Sequence, residues 1–146
     1  MLNFSIVPLN RDHIEERCRD LIEQQKTGAA THALFLMKFN PECDPPVDKA
    51  TEQCEIYDIY REKLERAGAK HGVLVQATLG HITPPREKYP FMPLVSLVTG
   101  EEVYATCCPL DPAFGDYMKD QMTTLARHKP SVVMLDDDLG LLYRPA

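Results

Sequence analysis

The chain has 146 residues, enough for one domain with a real core, and its 44% hydrophobic and 26% charged residues are ordinary for a globular protein. A net charge of -6 with no visible Lys and Arg cluster argues against a nucleic-acid partner. No apolar run approaches the roughly 20 residues of a membrane span. Residues 1–10 lack the basic start and long apolar core of a signal peptide, so a cytoplasmic setting without a membrane partner is expected.

Residues 10–26 read as an amphipathic helix. Asn10 is its candidate N-cap, and Ile14, Cys18, Leu21, Ile22 and Gln25 form a stripe that is apolar except at the last position. Thr27-Gly28 ends it. Residues 32–39 are apolar apart from His32 and Lys38, a pattern that suits a strand buried on both faces of a parallel sheet. Asn40-Pro41 stops that strand and opens a proline-rich loop. A second helix is expected over 47–67, with Ala50, Cys54, Tyr57, Ile59, Tyr60, Leu64 and Ala67 on one face and Asp48 in its first turn. Gly68 closes it.

A second strand covers 71–79. A long excursion follows, from Thr83 to about Pro109, and contains a hairpin over 94–106 that turns at Thr99-Gly100-Glu101. Its aromatic residues Tyr89, Phe91 and Tyr104 would pack the hairpin or flank a subsite. The third helix, 111–128, starts at an Asp111 cap with Pro112 in its first position. The third strand is 131–135. The five cysteines show no Cys-x-x-Cys spacing, and their odd number fits reduced thiols, with the Cys107-Cys108 pair placed in a loop.

Strands alternating with long helices give an α/β fold with a parallel sheet. Two architectures accommodate it. One is a small doubly wound sheet, which needs about five strands. The other is the opening part of a (β/α)8 barrel, which runs to roughly 250 residues. With no helix after the third strand, a partial barrel is expected: three parallel strands, flanking helices and a β-hairpin excursion in one partial domain.

In either architecture ligands bind at the carboxyl ends of the strands. Those ends carry Lys38 and Asn40, then Gln76 and His81, then Asp136, Asp137 and Asp138. Alternation along a strand puts Asp136 and Asp138 on one face and Asp137 on the other. Adjacent carboxylates repel unless a cation, a donor or water offsets them. Gln76 lies in an apolar run, so its amide must find partners. His81 could bond a hydroxyl or a metal, and Lys38 could enter the shared mouth, snorkel to solvent or pair with an acid. His13, His32, His71 and His128 show no ligand spacing and read as structural or exposed.

The segment Leu64-Glu-Arg-Ala-Gly-Ala-Lys-His-Gly-Val-Leu-Val-Gln-Ala-Thr-Leu-Gly-His81 resembles the first-helix to second-strand passage of glycoside-hydrolase-like barrels. Val133-Met-Leu-Asp-Asp-Asp138 is similar to strand ends of α-galactosidase-like glycosidases, and Cys108-Pro-Leu-Asp-Pro-Ala-Phe114 to the loop before such a strand. The resemblance implies a carbohydrate ligand, Asp136 and Asp138 as candidate catalytic carboxylates, and Asp137, His81, Asn40, Lys38 and Gln76 as sugar-binding groups. It also implies that a complete catalytic pair needs a later strand. No cofactor is expected, although the aspartates could take a divalent metal.

Two other readings stand beside it. Asp136-x-Asp138 after an apolar strand is similar to the haloacid-dehalogenase-like pattern of magnesium-dependent phosphotransferases, but Leu139-Gly140-Leu141 follows where Gly-Thr is expected. A non-catalytic half-barrel would instead self-associate through its unpaired sheet edges, giving a homo-oligomer.

Overall fold

The computed structural model describes residues 2–41, 45–76, 90–96 and 98–136, without the side chains of Tyr104 and Ala105. The elements in chain order are β1 (Phe4–Pro8), α1 (Ile14–Lys26), β2 (His32–Lys38), α2 (Lys49–Arg66), β3 (His71–Gln76), β4 (Pro93–Val95), β5 (Glu102–Cys107), α3 (Pro112–Arg127) and β6 (Val133–Leu135). β1, β2, β3 and β6 form a sheet in that spatial order, and every neighbouring pair is parallel. β4 and β5 are the antiparallel hairpin expected in the excursion. The α/β fold and the parallel sheet follow the sequence reading, and the sheet has four strands where three were expected.

The additional strand is β1. Its five residues carry too few alternations to read as a strand alone, and it exists because β2 offers an edge. The carbonyl of Asn3 anchors it by accepting from the backbone N–H groups of Thr31 and His32, at 2.7 and 3.3 Å. The expected cap of the first helix also moves. Asn10 uses its side-chain oxygen to accept from the Asp12 N–H at 3.2 Å and the Arg17 guanidinium at 2.7 Å. The chain then enters α1 at His13, a left-handed residue with φ 56° that makes no side-chain cap bond. Asp48 caps α2 through the Thr51 N–H, and Asp111 caps α3 with Pro112 in its first turn. Gly28 and Gly68 end the first two helices at φ +78° and +69°, conformations that disfavour a side chain. Cys107 belongs to β5 instead of the loop, because its residue pairs with Pro93. The positions 77–79 of the expected second strand lie outside the described residues.

One face of the sheet packs on all three helices. Ala33, Phe35 and Met37 of β2 and Val73 and Val75 of β3 share a core with Cys18 and Leu21 of α1, with Ala50, Cys54, Tyr57, Tyr60 and Leu64 of α2, and with Leu125 of α3. The opposite face is layered by register. Ile6, Leu34 and Gly72 make one row, and Pro8, Leu36, Leu74 and Met134 the next. Consecutive strand order with helices on one face is the pattern that barrels share.

Candidate functional site

The third row on that opposite face is polar. Lys38 pairs in register with Gln76, and Asp136 follows one residue after the Val75–Leu135 pair. Two apolar layers therefore give way to Lys38, Gln76 and Asp136 at the carboxyl ends of β2, β3 and β6. The Gln76 amide donates to a carboxylate oxygen of Asp136, so the partly buried amide that ends this apolar strand finds its partner there. The backbone of Asp136 is fixed as well, its N–H donating to the Val75 carbonyl at 3.1 Å.

The Lys38 end of the row is held from α2. β1 stops at Pro8, so the outward N–H and C=O of Lys38 have no strand to pair with. Gln53 substitutes for it, accepting from the Lys38 N–H at 2.8 Å and donating to its carbonyl at 2.7 Å. The Lys38 side chain is exposed and makes no ion pair among the described residues. The row thus presents a donor at one end, an amide in the middle and an acceptor at the other.

Asn40 lies two residues beyond β2 and is partly buried. His81, Asp137 and Asp138 lie outside the described residues, as do Cys43 and Tyr89. Phe91 packs edge-on against Phe114 of α3 at 5.5 Å, and Tyr117 lies equally close, so this aromatic joins the excursion to the helix. Cys18, Cys54 and Cys108 are free thiols. Burial pushes the Cys54 thiol up to about 12, which makes it inert at neutral pH. Among the described residues no three side chains of metal-ligating type cluster.

A polar chain at the other end of β3, buried at His71 and Tyr57 and reaching the surface at Glu65, was not legible in the sequence. His71 is 4% exposed, and its Nδ1 lies 2.6 Å from the Tyr57 hydroxyl. Its Nε2 lies 3.3 Å from Glu65, a carboxylate that can only accept, so Nε2 carries the proton and Nδ1 accepts from Tyr57. Arg61 links Glu65 to Asp58, and Asp58 accepts from Nδ1 of His128 at 2.8 Å. The sequence trace of this chain is the spacing of Asp58, Arg61 and Glu65, which brings charges together on one helix face. Nothing in sequence brings in His71 and His128, because they arrive from β3 and the end of α3.

Two surface grooves lie away from the carboxyl ends of the strands. One runs between α1 and α2, over Cys18 and Ile22, flanked by Arg19, Lys26, Lys63 and Arg66. Lys26, Lys63 and Arg66 occupy last helical turns, where they offset the helix dipoles, and Lys63 also pairs with Glu15. The adjoining groove lies beside Gly28, Thr31 and Lys70, at the amino ends of β2 and β3. The chemistry-bearing row is elsewhere. No helix among the described residues is long and apolar enough to cross a membrane.

No protein-family model matches the chain, and neither a curated protein nor a solved structure matches it.

Proposed function

We propose that the chain is the carbohydrate-binding portion of a glycoside-hydrolase-like (β/α)8 barrel and that sugar hydroxyls bind at the carboxyl ends of its parallel strands. The observation that carries this reading is the Lys38–Gln76–Asp136 row above two apolar layers. A hydroxyl both donates and accepts, so adjacent hydroxyls of one sugar match a row that runs from donor to acceptor. Asp136 and Asp138 are the candidate catalytic carboxylates of this reading, and Asp137, His81 and Asn40 are further candidate sugar-binding groups. Hydrolysis needs a second carboxylate roughly 5–10 Å from the first, across the scissile bond. Three successive aspartates do not supply that opposed pair, so binding without turnover is expected of this chain alone.

A homo-oligomer and a reducing, cytoplasmic setting belong to the same reading. The outer edges of β1 and β6 are unpaired among the described residues, and Ile6 (58% exposed), Val133 and Leu135 (both 44%) lie on them. The free thiols of Cys18, Cys54 and Cys108 fit a reducing compartment.

The test is titration of the chain with a panel of mono- and disaccharides, followed by amide chemical shifts, beside an assay with aryl glycosides. Shifts centred on Lys38, Gln76 and Asp136 support the reading. A panel that moves none of them sinks it, and Mg2+-dependent phosphatase turnover would transfer the site to the phosphotransferase reading.

A further inference from the structure

β6 is the most weakly attached strand of the sheet. It has three residues and pairs, among the described strands, with β3 alone. Its approach is stitched to the residue that opens β3, because the Ser131 hydroxyl donates to the carbonyl of His71. The Val73 N–H then donates to the Val132 carbonyl at 2.9 Å, and the fit is so close that a Cβ on Gly72 would lie 2.4 Å from that carbonyl oxygen. The side chain of the same His71 is buried in a proton-specific arrangement. Nδ1 accepts from Tyr57, which is fully buried, and Nε2 donates to Glu65. A second ring proton would face the Tyr57 hydroxyl and leave that hydroxyl's own hydrogen without an acceptor.

We propose that His71 is an acid-sensitive latch, which in its neutral form holds β6, and with it Asp136, against β3 and on protonation lets that strand open. The groups facing His71 are Tyr57, Arg61 and Glu65 from α2 and His32 from β2, with Asp58 and His128 continuing the chain toward α3. Desolvation, opposed by Glu65 and reinforced by Arg61 and His32, holds the imidazole below its ordinary value of 6.5. A hydrated imidazole in the opened state binds a proton more readily than the buried one, so opening is favoured as pH falls from 6.5 toward the lowered value. Such opening is a local event at the low-stability end of the fold. It concerns where Asp136 sits and does not depend on what the site binds.

Native-state hydrogen exchange of the Asp136 amide, corrected for the intrinsic rate and followed from neutral to mildly acidic pH, tests the latch. Its protection is expected to fall by up to about tenfold per pH unit within that window. The Ala33 amide, bonded to Lys70 between β2 and β3, should keep its protection. His71→Gln should flatten the response, and His128→Gln should leave it intact. A pH-independent Asp136 amide in the natural chain overturns the proposal, as does an unchanged response in His71→Gln or a lost one in His128→Gln. If His71→Gln does not fold, Tyr57→Phe decides: removing the hydroxyl removes the proton conflict, so the midpoint should rise, and an unmoved midpoint refutes the latch.

Discussion

The side-chain amide of Gln76 donates to the carboxylate of Asp136, although sixty positions separate them in the chain. That bond joins β3 to β6 at the polar row and fixes one carboxylate at the carboxyl ends of the strands. A hydrogen bond to a charged group contributes about 1.5–3 kcal/mol. Asp136→Asn should therefore weaken saccharide binding at least about tenfold. Gln76→Leu should lower affinity less, since the carboxylate stays while its orientation is lost. Isothermal titration of the two variants against the tightest sugar of the panel measures both, and equal affinity for natural chain and Asp136→Asn would remove Asp136 from the site.

Gly72 is a packing requirement. An added Cβ would lie 2.4 Å from the Val132 carbonyl oxygen, 3.0 Å from the Val132 Cβ and 3.1 Å from Leu34 Cδ2. Two of these neighbours belong to the segment leading into β6, so relief requires moving that strand. Gly72→Ala should cost about 1–3 kcal/mol, the usual range for overpacking. Urea unfolding reads this as a lower midpoint with an unchanged slope.

The start of α2 is held from α3. Gln121 is 4% exposed; its carbonyl accepts from the Ala50 N–H at 2.8 Å and its amide donates to Asp48 at 3.2 Å. Gln121→Leu strands the buried Ala50 N–H and should cost about 1–3 kcal/mol. Asp48→Ala should cost about 1 kcal/mol as a lost cap. A double-mutant cycle by chemical denaturation should show coupling, because the two side chains share a bond. Additive effects would contradict the contact.

Asp48 also predicts an acid limb. The Thr51 hydroxyl first, then backbone N–H groups and Gln121, hold its carboxyl below the ordinary 3.8. The unfolded chain then binds the proton more readily than the fold. This contribution is complete above pH 3.8 and is lost as pH falls through the lowered value. In Asp48→Ala the unfolding midpoint should fall less steeply with acid over that window, and identical slopes would show that the cap bonds do not form in solution.

Sequence periodicity made the helices and the two central strands legible, because each carries an apolar stripe long enough to show its own period. β1 was hidden for the opposite reason: five residues cannot display a period, and only the edge of β2 selects them. Of the candidate site, Lys38, Gln76 and Asp136 were legible as strand-end residues in an apolar context.

Their common face and their bonding were not. Local sequence decides what a residue prefers, through burial, capping and backbone bias. Which strands become neighbours, in what register, and which far-off partner satisfies a buried polar group are settled when the sheet closes on α2 and α3. Register brings Gln76 to Asp136 and leaves Gln53 to stand in for a missing strand. The same packing carries His71 to Tyr57 and Glu65, through contacts that no short window of residues contains. Hydrogen bonds reach about 3 Å, so only folded proximity could pair them.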